Sequence, residues 1–75
     1  MRKELAKGLE KKSLWDWRKQ KGLSETQLGK EVGTHLNTIR YWEQKPEIIP
    51  LGKAFALAKV LGIKVEQIDC EQGRD

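Results

Sequence analysis

The chain has 75 residues, with 15 Lys or Arg against 11 Asp or Glu for a formal net charge of +4, and it carries one Cys and one His. A chain this short buries only about 60% of its unfolded surface, so it makes one domain whose core must be compact and helical or otherwise reinforced. Cys70 has no partner for an intramolecular disulfide, no charged-then-apolar leader follows Met1, and no apolar run approaches the roughly 20 residues that span a bilayer; the expectation is a soluble, cytoplasmic protein with no membrane partner.

Residues 1–12 contain Arg2, Lys3, Lys7, Lys11 and Lys12 with Leu5, Ala6 and Leu9 interspersed, a pattern compatible with a weak amphipathic helix or a flexible basic arm. Such an arm suits a phosphate backbone or a minor groove, and a frayed terminus explains the pattern equally well. Ser13, followed three residues later by Asp16, reads as the cap of a first helix that starts at Leu14 and ends near Gly22, with Leu14 and Trp17 facing inward. Trp15 fits a partly exposed surface aromatic, a lid over the N-terminal arm or part of a dimer contact.

Ser24 caps a second helix, with Gln27 at the capping-box partner position. Leu28 and Val32 stand four apart on its inner face, and Gly29 beside them leaves room for a second backbone to approach. Gly33 then tolerates the positive φ of a sharp reversal, and a third helix begins at Thr34 or His35.

In that third helix Ile39 and Trp42 define the buried stripe, and Glu43 falls nearer the core side. At about 100° per residue the opposite face collects Asn37, Arg40, Tyr41 and Gln44. Those side chains suit nucleic acid: Asn pairs bidentately with adenine, Arg with guanine or a phosphate, and Tyr donates to a phosphate or packs on a thymine methyl group.

Pro46 disfavours helix at Lys45, which ends the third helix nearby. The stretch EIIP at 47–50 reads as an ordinary connection, and residues 51–61 as a fourth helix ended by Gly62, with Phe55, Ala58 and Leu61 in the core. Ile63, Val65 and Ile68 begin a short last helix; they either close the core or form an exposed patch that pairs two protomers. The tail at 70–75 looks frayed. Three units follow: a basic arm or short extra helix at 1–13, a domain at 14–69 and the tail.

Charge follows the same division. Residues 1–45 hold 11 basic and 6 acidic residues, and residues 46–75 hold 4 and 5, so the positive excess lies in the half with the polar helix face. A protein approaching polyphosphate requires such an excess, and a lysine-rich solvated surface also accounts for it. Other chemistries have less support. One His and one Cys far apart supply no nucleophile–base–orienter set, and His35 with Cys70 leaves a zinc site two ligands short. Gly29 and Gly33 lie inside a helix pair with no preceding strand, unlike a phosphate-cradling loop. Neither an enzyme nor a cofactor is expected.

The stretch SETQLGKEVGTHLNTIRYWEQ at 24–44 resembles the helix-turn-helix domain of the phage repressor and Cro type, the XRE family. Small Gly29, the turn residue Gly33 and apolar Leu28, Val32, Ile39 and Trp42 match its motif position by position. The run KQKGL at 19–23 resembles the family's lead into its second helix, and ALAKVLGIKVEQI at 56–68 its fourth helix and the start of its fifth. The resemblance covers roughly residues 14–68 and implies an all-α, lambda-repressor-like bundle of about five short helices, with the motif as helices 2 and 3.

It also implies a function. The expected activity is sequence-specific binding of double-stranded DNA by a transcriptional regulator, a repressor, whose recognition helix at about 36–44 enters the major groove of an inverted-repeat operator as a homodimer. Asn37 and Tyr41 are the expected base contacts, flanked by His35, Leu36 and Arg40; Ser24, Gln44 and Lys45 are expected near phosphates. Arg18 and Glu43 occupy positions that form a partly buried ion pair in the resembling family, where the pair holds the recognition helix at a fixed angle.

The chain departs from the family at two points. Members commonly place a phosphate-contacting glutamine just after the second helix's cap, and here Glu25 stands there; either it turns toward that helix's positive N-terminus or the anchor is absent. At 45–46 Lys-Pro replaces the glycine that ends many recognition helices. Domains of this type also serve as antitoxin DNA-binding halves, as restriction-system controllers, or as protein-interaction modules that have lost DNA contact, and Glu25 keeps that last alternative open.

Overall fold

In the computed structural model, residues 10–70 are described. Among them the chain forms four α-helices, α1 (Leu14–Gln20), α2 (Glu25–Val32), α3 (Leu36–Gln44) and α4 (Leu51–Leu61), with short 3-10 turns at Pro46–Ile48 and Val65–Gln67. The fold is all-helical, as expected. Of the N-terminal arm expected at 1–13 and the tail expected at 70–75, residues 1–9 and 71–75 lie outside the described residues.

The helix boundaries follow local chemistry. Ser13 Oγ accepts a hydrogen bond from the Asp16 amide at 3.1 Å and starts α1. At α2 the capping box is complete: the Gln27 amide donates to Ser24 Oγ at 3.0 Å, and the Ser24 amide donates to Gln27 Oε1 at 2.8 Å. Gly33 ends α2 at φ 77°, and the Thr34 amide folds back to donate to the Gly29 carbonyl at 2.7 Å. The return is so tight that a Cβ on Gly29 would sit 2.6 Å from the Thr34 carbonyl oxygen. The close approach expected at Gly29 is therefore real, and its partner is the turn backbone that launches α3.

The core joins all four helices. Leu14 and Trp17 of α1, Leu28 and Val32 of α2, Ile39 and Trp42 of α3, and Leu57, Ala58 and Leu61 of α4 are buried together with Ile68. Apolar burial of this kind dominates the stability of so small a domain. Trp17 also uses its polar edge, as Nε1 donates to the Gln67 carbonyl at 2.8 Å.

Two expectations from sequence are corrected. Phe55 is 55% exposed rather than buried, because the inner stripe of α4 runs through Ala54, Leu57, Ala58 and Leu61. At about 100° per residue, Phe55 points roughly 110° away from the centre of that stripe. The expected last helix is a single 3-10 turn. Beyond it the chain extends to pair with the segment before α1: the Lys12 amide donates to the Gln67 carbonyl at 3.1 Å and the Asp69 amide to the Lys12 carbonyl at 2.9 Å. These ladder bonds take up the backbone groups that a continued helix would have paired within itself. Ile68 is buried there and closes the core. The end of α3 is as expected: the helix stops at Gln44, Lys45 breaks it at φ −131°, and the connection begins with a 3-10 turn whose first residue, Pro46, is buried.

Candidate nucleic-acid interface

One face of α3 is left to solvent. Ile39, Trp42 and Glu43 are buried, while Asn37, Arg40, Tyr41 and Gln44, at helical spacings of three and four, are exposed. Tyr41 is 49% exposed, with its ring and hydroxyl available on this face. Leu36 is half-buried beside them, and Lys45 is exposed just past the helix end. The structure thus brings the α3 residues singled out from sequence onto a single outward surface.

The flanking residues are placed by capping. His35 is the N-cap of α3, and its Nδ1 accepts a hydrogen bond from the Asn37 amide at 3.0 Å. That bond assigns the ring's proton to Nε2 whenever the ring is neutral. Ser24, exposed at the start of α2, has its hydroxyl engaged by the Gln27 amide. Sequence suggested a phosphate near Ser24 and a phosphate or base near His35; the capping work is the part visible in the fold.

Behind the exposed face lies an ion pair. Arg18 on α1 is 6% exposed and Glu43 on α3 is 4% exposed. Arg18 Nε donates to Glu43 Oε2, Nη2 donates to Oε1 at 3.3 Å, and Nη1 donates to the Leu23 carbonyl at 3.0 Å. A bidentate guanidinium–carboxylate pair is directional as well as strong, and this one ties α3 to α1.

Glu25 does something sequence did not anticipate. Its carboxylate neither stays with its own helix N-terminus nor leaves the neighbourhood of the interface. Glu25 Oε1 accepts from Arg40 Nη2 at 2.9 Å and from Arg40 Nε at 3.2 Å, so the first residue of α2 is tied to the middle of α3. Arg18 Nη2 lies 4.0 Å from Glu25 Oε2 and draws Glu25 toward the buried pair. The Arg40 hydrogen bond and charge, with Arg18 adding to them, hold the Glu25 carboxyl below its ordinary pKa, and Glu25 in turn raises that of Arg40. The two residues are 15 apart in sequence, and only their opposite charges hinted at the contact.

Two short helices joined at a left-handed glycine, with the second buried on one face and polar on the other, form a helix-turn-helix motif. A family profile described as Helix-turn-helix matches residues 16–68, well over half of the chain, and the protein belongs to that family in its repressor and Cro-type branch. It is a family of DNA-binding regulatory domains rather than of enzymes. No curated protein and no solved structure gives a significant match to the chain. Among the described residues no helix is long and apolar enough to cross a membrane.

Proposed function

We propose that the protein is a sequence-specific transcriptional regulator, a repressor, that inserts α3 into the major groove of double-stranded DNA. The observation that carries this reading is the exposed polar face of α3, a helix tied to α1 by the Arg18–Glu43 pair behind it. Asn37 and Tyr41 contact base edges, with His35, Leu36 and Arg40 beside them, and Ser24, Gln44 and Lys45 lie along the phosphates. One such helix reads too few base pairs for useful discrimination, so two protomers bind an inverted repeat with half-sites about one helical turn apart.

A second reading, a protein-interaction module of the same fold, is favoured by one observation. Ile48, Leu51 and Phe55 are exposed, and Leu51 and Phe55 stand one turn apart on α4. The same side chains suit a protomer contact in the DNA-bound dimer. Selection of bound sequences from a random duplex pool at stated salt separates the readings. Enrichment of an inverted repeat supports the regulator; no enrichment, together with no salt-dependent affinity for any duplex, supports the interaction module.

A further inference from the structure

We infer that Glu25 is a positioning residue that turns Arg40 into a reader of guanine, by holding one edge of its guanidinium and leaving the other edge to face the major groove. This inference rests on the DNA-binding reading above and names a base that the site selects.

The geometry of the fork carries it. A guanidinium has five N–H donors in a rigid plane, arranged along two usable edges. Glu25 Oε1 occupies the edge made by Nε and Nη2, at 3.2 and 2.9 Å. What remains is the outer edge, where Nη1 and Nη2 each direct an N–H away from the backbone. Two parallel donors match the O6 and N7 acceptors of guanine in the major groove. The Arg40 side chain is 55% exposed, and that of Glu25 only 22%, so the pair presents its arginine outward and its carboxylate inward.

Arg40 alone would pair with a phosphate as readily as with a base, and Glu25 decides between the two. A phosphate brought to the outer edge of Arg40 would lie close to the Glu25 carboxylate and meet its charge. A guanine edge offers the same two acceptors without a net charge. The neighbouring Arg18, 4.0 Å from Glu25 Oε2 and itself fixed by its buried pair with Glu43, keeps the carboxylate from swinging away. Arg40 therefore reaches the groove with its orientation already set, and little rotamer freedom is lost on binding.

The test compares the wild-type protein with Glu25→Gln, which keeps the shape and removes the charge, and with Arg40→Lys, which keeps the charge and loses the fork. Duplexes are selected from a random pool, and affinities are measured over a range of salt. Wild type should enrich a guanine at one half-site position, and 7-deazaguanine there, which lacks N7, should weaken binding about tenfold. Arg40→Lys should lose that preference while other positions keep theirs. Glu25→Gln should bind all duplexes more tightly, with a steeper salt dependence, and discriminate far less at that guanine. The inference is overturned if Glu25→Gln discriminates as wild type does, or if 7-deazaguanine makes no difference. Wild type that binds no duplex in a salt-dependent way overturns the DNA-binding reading itself, a distinct result.

Discussion

Asn37 and Lys45 flank the two ends of α3, and their side chains have different chemistry to offer DNA. Asn37 presents an amide that matches one base, so Asn37→Ala should relax sequence preference at a single position by about 1–3 kcal/mol. Lys45 offers only charge, and Lys45→Ala should weaken every duplex alike and flatten the salt dependence by about one unit of slope. Competition titrations with single-base operator variants distinguish the two. Glu25 contributes to the folded state as well as to the site. Its carboxyl is held below its ordinary pKa by the Arg40 hydrogen bond, so its contribution is fully present above the ordinary value and is lost as pH falls through the depressed one. Urea unfolding followed from neutral to strongly acidic pH should show a loss in that acid window that is smaller in Glu25→Gln. At this scale the site was only half legible. The exposed set of α3 follows from helical spacing alone, whereas the Glu25–Arg40 contact depends on how α2 and α3 cross, which no local pattern records.

Among the elements, the α2–α3 turn is the most tightly specified. Adding a methyl group at Gly29 places it 2.6 Å from a backbone oxygen that has no side-chain freedom with which to yield. Gly29→Ala should therefore lose about 1–3 kcal/mol, read as a shift in the urea midpoint at unchanged slope. The join between α1 and α3 is equally exacting. Glu43→Ala strands Arg18 at 6% exposure and should cost about 3–5 kcal/mol, most of the stability a domain this small holds. Replacing both partners with apolar residues of similar volume should cost much less than the sum of the single changes, measured as a double-mutant cycle. These elements were legible because caps, the left-handed glycine and the apolar stripes of α1 to α3 are local signals. Phe55 misled because a spacing of three fits either side of the stripe in α4. The last turn was misread because its backbone partners come from the segment at residue 12, which lies far away in sequence.

At the scale of the whole molecule, the positive excess in residues 1–45 and the polar face of α3 belong to the same half of the chain. The other half supplies α4, with Leu51 and Phe55 exposed, and the segment that closes the core. Membership in the helix-turn-helix family makes the domain a DNA-binding regulator in general terms; which face engages the duplex is the central claim. It is tested most directly by titrating the isotopically labelled protein with its selected duplex and following every backbone amide by NMR. The largest shifts should fall on residues 35–45 and at the start of α2, around Ser24 and Glu25. Shifts concentrated instead on α4, around Leu51 and Phe55, with α3 unchanged, would contradict it.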